Sequence, residues 1–435
     1  MMETKFLPSR LMGEVRLPSS KSVAHRALIT AALAGSSTVR NVDLSNDITA
    51  TANALSALGA DIGYDPESRI FTTGEPLTDI CKKNRASDVI EVDCGESAST
   101  LRFMIPIAAA LGRSVIFKGH GRLPKRTTEP YVKTLSELGV EMSYPENGDF
   151  LPLRVSGKMC PGEARIRGDV SSQFVTGMIY AFVITGEKGL LTLTTPLESK
   201  PYVDMTTDIL TENGAVIEAP SGLPLPEYRI GRGKLRPFDM TVEGDCSQAA
   251  FFAVGAAVNG HVTMTGINMD TTQGDFELFH ILERFGANVE YGKDSVTVSQ
   301  GILNATDIDA ADIPDLVPAL AVLAGYAHGD TKIYNAERLR LKESDRIKST
   351  IDMLNAIGVS ARETEDGMII TGGKLVNGGF VNAQGDHRIA MSAAAASAGV
   401  RNSVTVDDMS CIAKSYPSFL DDFASSGGQF RVTEK

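Results

Sequence analysis

The chain has 435 residues, 43% hydrophobic and 22% charged, which fits a globular protein of two or three domains and excludes a disordered one. A net charge of −12 with no Trp and no basic tail argues against a nucleic-acid binder, and no apolar run reaches membrane-span length. Five cysteines without a C-x-x-C pair, behind an N-terminus that lacks a signal-peptide core, point to reduced thiols in a cytoplasm.

Six times along the chain a polar turn opens an apolar helix. The turns are Pro18-Ser-Ser-Lys-Ser22 before AHRALITAALA, Asp93-Cys-Gly-Glu-Ser97 before ASTLRFMIPIAAA, and Gly168-Asp-Val-Ser-Ser172 before QFVTGMIYAFV. Gly244-Asp-Cys-Ser247 precedes QAAFFAVGAAV, Asp312-Ile-Pro-Asp315 precedes LVPALAVLAG, and Gly385-Asp-His-Arg388 precedes IAMSAAAASAG. Ser20, Glu96, Asp169, Asp245, Asp315 and Asp386 mark the copies, 70 to 76 residues apart. A helix N-terminus carries unpaired N–H groups and partial positive charge, so six such ends suit a negatively charged ligand.

A second repeat runs in phase with the first. LSALGADI, LSELGVEM, LTENGAVI, LERFGANV, LNAIGVSA and the degenerate FASSGGQF each read as a helix end, a glycine and a strand. Their glycines are Gly59, Gly139, Gly214, Gly286, Gly358 and Gly427. One helix–Gly–strand copy is ordinary in any α/β protein; six in phase define an internal repeat. The period is too long for the common solenoids, so each unit is expected to be a small βα module, grouped three plus three.

Several polar clusters fall on these turns. Lys21, Ser22 and Arg26 open the first helix, where they suit an anion or simple Ser capping. Cys94 and Cys246 read as buried small residues rather than nucleophiles. Gly121-Arg122-Leu-Pro-Lys125-Arg126 is a cationic loop, either closing over a substrate or merely solvated. Ser171, Ser172 and Gln173 suit a phosphate or a polyol, and Ser199-Lys-Pro-Tyr202 is another polar turn. Asp315, after Pro314 in a first helical turn, is either a cap or a partly buried general base. In Arg338-Leu-Arg-Leu-Lys342-Glu343-Ser-Asp-Arg346, Lys342 and Arg346 read as like-charged i,i+4 neighbours on a helix. That run is an exposed helix start or an anion clamp with Glu343 as its acid–base group. Asp386-His387-Arg388 and Lys414 add cations near the end. No metal motif, Walker A sequence or well-placed G-x-G-x-x-G occurs, so Lys and Arg are expected to handle any phosphate and no cofactor is expected.

Taken together, PSSKSVAHRA, DCGESASTLR, GRLPKR, GDVSSQF, ESKPYVDMT, DIPD, LKESDRI, GDHRIAM and IAKSYP resemble, in order and nearly end to end, the 5-enolpyruvylshikimate-3-phosphate synthases (3-phosphoshikimate 1-carboxyvinyltransferases) of the enolpyruvyl transferase family. The resemblance implies an α/β (α+β) fold of two similar domains. Each would hold three βαβαββ units with pseudo-threefold symmetry, with the active site in the interdomain cleft. It implies an N-terminal domain over 19–239 and a C-terminal domain of 1–18 plus 240–435. The implied reaction moves the enolpyruvyl group of phosphoenolpyruvate to the 5-hydroxyl of shikimate 3-phosphate by addition–elimination, on the way to chorismate and aromatic amino acids. Carried over by position, Lys21, Ser22, Arg26, Ser171, Ser172, Gln173, Ser199, Tyr202, Asp315 and Lys342 would hold shikimate 3-phosphate. Lys21, Ala98, Arg122, Gln173, Arg346, Arg388 and Lys414 would line the phosphoenolpyruvate site. Asp315, Glu343 and Lys21 would be catalytic. A cytoplasmic monomer that closes on its two small-molecule substrates is expected.

Two positions depart from the commoner family pattern. Ala98 stands where many members have glycine, so its methyl would narrow the phosphoenolpyruvate pocket against glyphosate. Arg338 stands where an Asn is frequent. The alternative within the fold is UDP-N-acetylglucosamine 1-carboxyvinyltransferase, which usually has a reactive cysteine in the mobile loop; Gly119 to Thr127 contains none. A DNA clamp would need basic helices along their length, and a non-catalytic phosphate-ester binder would lack turnover.

Overall fold

The computed structural model describes residues 2–83, 89–144, 148–219 and 225–434. The chain forms two compact units, one of Lys21–Val242 and one of Met1–Ser20 with Glu243–Lys435. Each unit has its own apolar core, and the two cores share no residue.

The repeat seen in the sequence is a repeat of architecture. Among the described residues there are six four-stranded sheets, three in each unit. In the second copy, Ile90–Asp93 pairs parallel with Val115–Lys118, which pairs antiparallel with Leu153–Gly157, whose other edge carries Val140–Ser143. The helix Ala98–Leu111 makes the parallel crossover and Pro130–Glu137 leads into the hairpin, giving βαβαββ. Val115 and Phe117 are buried while Lys118 is exposed, as alternation on a one-sided sheet demands.

The apolar helices announced by the polar turns are the cores of the two units. Lys21–Ala34, Ala98–Leu111 and Ser172–Thr185 are buried almost all round in one, and Cys246–Asn259, Val317–Tyr326 and His387–Ala396 in the other. A helix apolar on every face has to be surrounded, and the sheets and second helices supply that cover. Among the described residues, no helix is long and apolar enough to cross a membrane.

Three short strands close the repeats across long sequence distances. Met2–Leu7 pairs with Gln429–Glu434 and Val404–Val406, and Leu11–Arg16 lies parallel to Gly260–Thr265. Asp239–Thr241 lies parallel to Thr38–Arg40, completing the first sheet of the other unit.

All six repeat glycines have positive φ, from +84° at Gly139 to +105° at Gly59. Gly286 also needs space, because a Cβ there would collide with the Ile302 carbonyl oxygen. Gly286→Ala should therefore destabilise the protein by about 1–3 kcal/mol in urea unfolding. Gly266→Ala, at φ +87° with nothing within 4 Å of its Cβ, should fall at the low end of that range.

Candidate active site

Chemistry gathers where the inner helices begin. In the unit that carries the C-terminal half, Asp315 lies in the turn ahead of Val317–Tyr326, and Arg388 is the second residue of His387–Ala396. Arg388 Nη2 donates to Asp315 Oδ2 at 3.0 Å, and its Nη1 to the Asp315 carbonyl at 3.1 Å. Arg346, first residue of Arg346–Ala356, donates from Nη1 to Asp315 Oδ1 at 2.9 Å and from Nη2 to Glu343 Oε2 at 2.7 Å. Its Nε donates to Asp386 Oδ2 at 2.9 Å. Lys342 Nζ adds a 3.3 Å contact to Asp315 Oδ1.

Arg346 is only 1% exposed. A guanidinium that deep is tolerated because three carboxylates offset its desolvation. Burial would lower its pKa; Asp386, Glu343 and Asp315 outweigh that and raise it. For Asp315 the opposite holds. Burial favours the neutral acid, yet Arg388, Lys342 and Arg346 keep the carboxyl ionised, well below the usual carboxylate range. Asp386 is likewise pushed up by burial and brought down further by Arg346. An anion that competes for these cations weakens their hold on Asp315 and makes it a stronger base.

In the other unit, Lys21 Nζ pairs with Asp47 Oδ2 at 2.9 Å. Behind the first two polar turns runs a line of buried hydroxyls. Ser97 Oγ meets Thr100 Oγ1 at 2.8 Å, Thr100 meets Thr51 at 2.7 Å, and Thr51 meets His25 Nδ1 at 2.7 Å. Ser171 Oγ caps its helix by accepting from the Gln173 amide at 3.3 Å. The Gln173 side chain is fixed at both ends: it accepts from Arg102 Nη1 at 2.9 Å and donates to Ser99 Oγ at 2.8 Å. Arg102 is set in turn by a helix irregularity. Pro106 has no N–H to give the Arg102 carbonyl, and the Tyr131 hydroxyl donates to that carbonyl instead, at 2.7 Å.

The EPSP synthase (3-phosphoshikimate 1-carboxyvinyltransferase) family pattern matches residues 7–423. The chain belongs to the EPSP synthase family. It is 40% identical over 431 residues to the 3-phosphoshikimate 1-carboxyvinyltransferase of Clostridium novyi, covering 98% of each chain. It is 41% identical over 424 residues to that of Clostridium kluyveri, covering 97% of this chain and 96% of the other. The structure of EPSP synthase from Acinetobacter baumannii superposes over 100% of both chains with a TM-score of 0.81 at 24% identity, a likeness of fold.

Against this EPSP synthase framework, three local expectations change. Asp315 is not a cap, and Pro314 is not in the first helical turn. The helix begins at Val317 with Pro318 in its first turn, so the Asp315 carboxylate is left for Lys342, Arg346 and Arg388. Lys342 and Arg346 are not i,i+4 neighbours on one helix. Lys342 follows the short turn Glu337–Leu341 in an extended conformation and Asp345 caps the helix at Arg346, so both cations reach one carboxylate. Ser22 lies inside the first helix turn and is not its cap.

Arg26 is 2% exposed, and its nitrogens donate to Thr206 Oγ1 at 2.8 Å, the Ser22 carbonyl at 2.7 Å and the Tyr202 carbonyl at 2.6 Å. Burial pulls its pKa down to about 10. Three of the five guanidinium N–H groups are thus engaged, and Arg26 ties the first helix to the turn of Ser199 and Tyr202. Ser199 itself has φ +53° at the head of Lys200–Glu212. Ser172 and Ala98 are the buried first residues of their helices, Arg122 is exposed ahead of Leu123–Lys125, and Lys414 is buried at the end of Ser410–Lys414. Cys94 and Cys246 are fully buried, and burial pushes both thiols up, away from nucleophilic character. Arg338 donates to the Ala311 carbonyl at 2.5 Å.

Sequence reading passed over Arg102 and Asp47. Arg102 was detectable as a lone cation inside the apolar run ASTLRFMIPIAAA, and such a charge is kept only for a partner. Asp47 gave no signal beyond a common helix-start carboxylate.

Arg346→Met should take this guanidinium away from Asp386 and Glu343 and leave Asp315 to Lys342 and Arg388. The expected loss is about 3–5 kcal/mol in chemical unfolding near neutral pH. A loss below about 1 kcal/mol would mean that the carboxylates do not depend on this guanidinium.

Proposed function

We propose that this chain transfers the enolpyruvyl group of phosphoenolpyruvate to the 5-hydroxyl of shikimate 3-phosphate, releasing phosphate, in the route to chorismate and the aromatic amino acids. The observation that carries this reading is the Asp315 cluster: an ionised, partly buried carboxylate held by Lys342, Arg346 and Arg388, with Glu343 on the Arg346 guanidinium. The near end-to-end family match supports it.

Each group has a role that its chemistry suits. Lys21, Ser22, Arg26, Ser171, Ser172, Gln173, Ser199, Tyr202 and Lys342 hold shikimate 3-phosphate. Lys21, Arg122, Gln173, Arg346, Arg388 and Lys414 hold phosphoenolpyruvate, with Ala98 at its phosphate. As the substrate anions engage Lys342, Arg346 and Arg388, Asp315 regains basicity and takes the proton of the 5-hydroxyl. The oxygen bonds to C2 of phosphoenolpyruvate while protonated Glu343 delivers its proton to C3, giving a tetrahedral ketal. Glu343 then removes a proton from the new methyl group, the C2–C3 double bond re-forms, and phosphate leaves with the C–O electron pair. Lys21 assists proton transfer, and the cations stabilise the charge on the leaving phosphate. The enzyme works as a cytoplasmic monomer.

Phosphate release from phosphoenolpyruvate is the test, with shikimate 3-phosphate or UDP-N-acetylglucosamine as acceptor. Only the first should support turnover; turnover with the second alone would replace this reading. Asp315→Asn should lower the rate by about a thousandfold or more while leaving shikimate 3-phosphate binding largely intact. Near-wild-type rates would remove Asp315 from the base role. Glyphosate, slightly longer than phosphoenolpyruvate, should inhibit weakly, and Ala98→Gly should tighten its inhibition constant. Potent inhibition unchanged by that substitution would count against a pocket narrowed by the Ala98 methyl.

A further inference from the structure

A cleft of about 710 Å³ opens at the far end of the inner helices of the Lys21–Val242 unit. Ala110 and Leu111 at the end of Ala98–Leu111, and Ile184 and Thr185 at the end of Ser172–Thr185, form its floor. Met159, Pro161 and the short helix Leu77–Lys83 complete its walls. Each inner helix has 14 residues, so the cleft lies about 20 Å along the axis from Ala98 and Ser172 at the heads. It is separate from the residues that would hold the substrates.

Arg113 lines this cleft and is 6% exposed. Gly112, at φ +70°, ends the helix, and the Arg113 amide donates back to the Ala108 carbonyl at 2.9 Å. The residue after such a glycine commonly makes an apolar contact with its own helix; here it is a cation. Arg113 Nε donates to Cys81 Sγ at 3.4 Å, and the Cys81 thiol donates to the Leu58 carbonyl at 3.8 Å. These bonds hold the Nε side of the guanidinium. Among the described residues, no oxygen accepts from its Nη groups and no carboxylate lies within ion-pair distance. The Nη groups are not sealed inside protein, and the space that Arg113 lines is the cleft.

The helix end offsets about half of a unit charge. The remaining cost of burying the guanidinium is left to an anion in the cleft. The one carboxylate on the cleft wall among the described residues, Glu187, is taken by Arg232 at 2.7 Å. Lys158, exposed at the rim, adds a second cation with no carboxylate partner among the described residues.

We propose that this cleft binds a small carboxylate with an apolar body. The carboxylate accepts from the two Arg113 Nη groups, Lys158 adds charge at the rim, and the body packs on Leu111, Met159 and Ile184. A planar guanidinium matches the two oxygens of a carboxylate. An apolar lining with a few placed polar groups, in a cleft within the range of about 300–1,000 Å³, suits a small molecule.

The probe is 2-naphthoate, with naphthalene-2-carboxamide as its uncharged counterpart and inorganic phosphate as an anion without the apolar body. Calorimetric titration of the full chain with 2-naphthoate should give a dissociation constant of about 1 mM or below. The carboxamide and phosphate should each bind about tenfold more weakly or worse. Arg113→Gln removes the cation, and Ile184→Trp fills the cleft with Arg113 in place. Each should weaken 2-naphthoate by about tenfold or more, and the second serves if the first fails to fold. Cys81 reports occupancy without any substitution. Bound 2-naphthoate should slow its alkylation by iodoacetamide, read by mass spectrometry, and leave that of Cys411 in the other unit unchanged. Binding that neither variant weakens, with Cys81 unprotected, would place the probe elsewhere and overturn the proposal. Phosphate or carboxamide binding as tightly as 2-naphthoate would overturn the assigned ligand class. No 2-naphthoate binding up to about 10 mM would overturn the site itself.

Discussion

Arg346 is the constraint on which the rest of this site depends. Its guanidinium is planar and permanently charged, and it is buried where a lone charge could not remain. Only carboxylates on separate elements can offset that cost, so Asp315, Glu343 and Asp386 must all be brought to it. Asp386 caps the helix that carries Arg388, and Asp315 precedes another, so satisfying one arginine aligns the starts of two inner helices. The groups that would otherwise be a liability in an apolar unit become the fixed geometry of a polar site.

The same arrangement explains how a base can be stored. A carboxylate surrounded by Arg388, Lys342 and Arg346 is stable as an ion and nearly inert as a base. Its reactivity depends on what competes for the cations. In the proposed reaction the anionic substrates are such competitors, which couples the basicity of Asp315 to their arrival.

Repetition of a fold module has not meant repetition of chemistry. The first copy offers Lys21, the third Ser171, Ser172 and Gln173, the fifth Asp315 and the sixth Arg388. The second copy has become support, with its hydroxyls and Arg102 holding neighbouring groups in place. The fourth, around Asp245, is tied up in hydrogen bonds of its own, through Gln273, Ser247 and Asp275. Within one module, the helix start stays where it is while its side chains are free to differ. That is why the turns recur in phase though their residues do not.

The sequence by itself determined the six modules, because both signals are local. Glycine past a helix end is required by a backbone angle, and an apolar helix after a polar turn is required by burial. It also marked most of the side chains that meet at Asp315, because charge at the head of an apolar helix stands out. Tertiary structure alone decided the partners. Nothing local tells that Asp315 leaves capping to serve three cations, that Lys342 and Arg346 lie on different elements, or that Pro106 frees a carbonyl for Tyr131 and so sets Arg102. Asp275 is the clearest case. In QGDF it looks like any turn aspartate, yet the fold buries it and gives it the Ser247 hydroxyl as a donor. Local conformational preference is written residue by residue, whereas electrostatic partnership depends on distances between segments far apart in the chain.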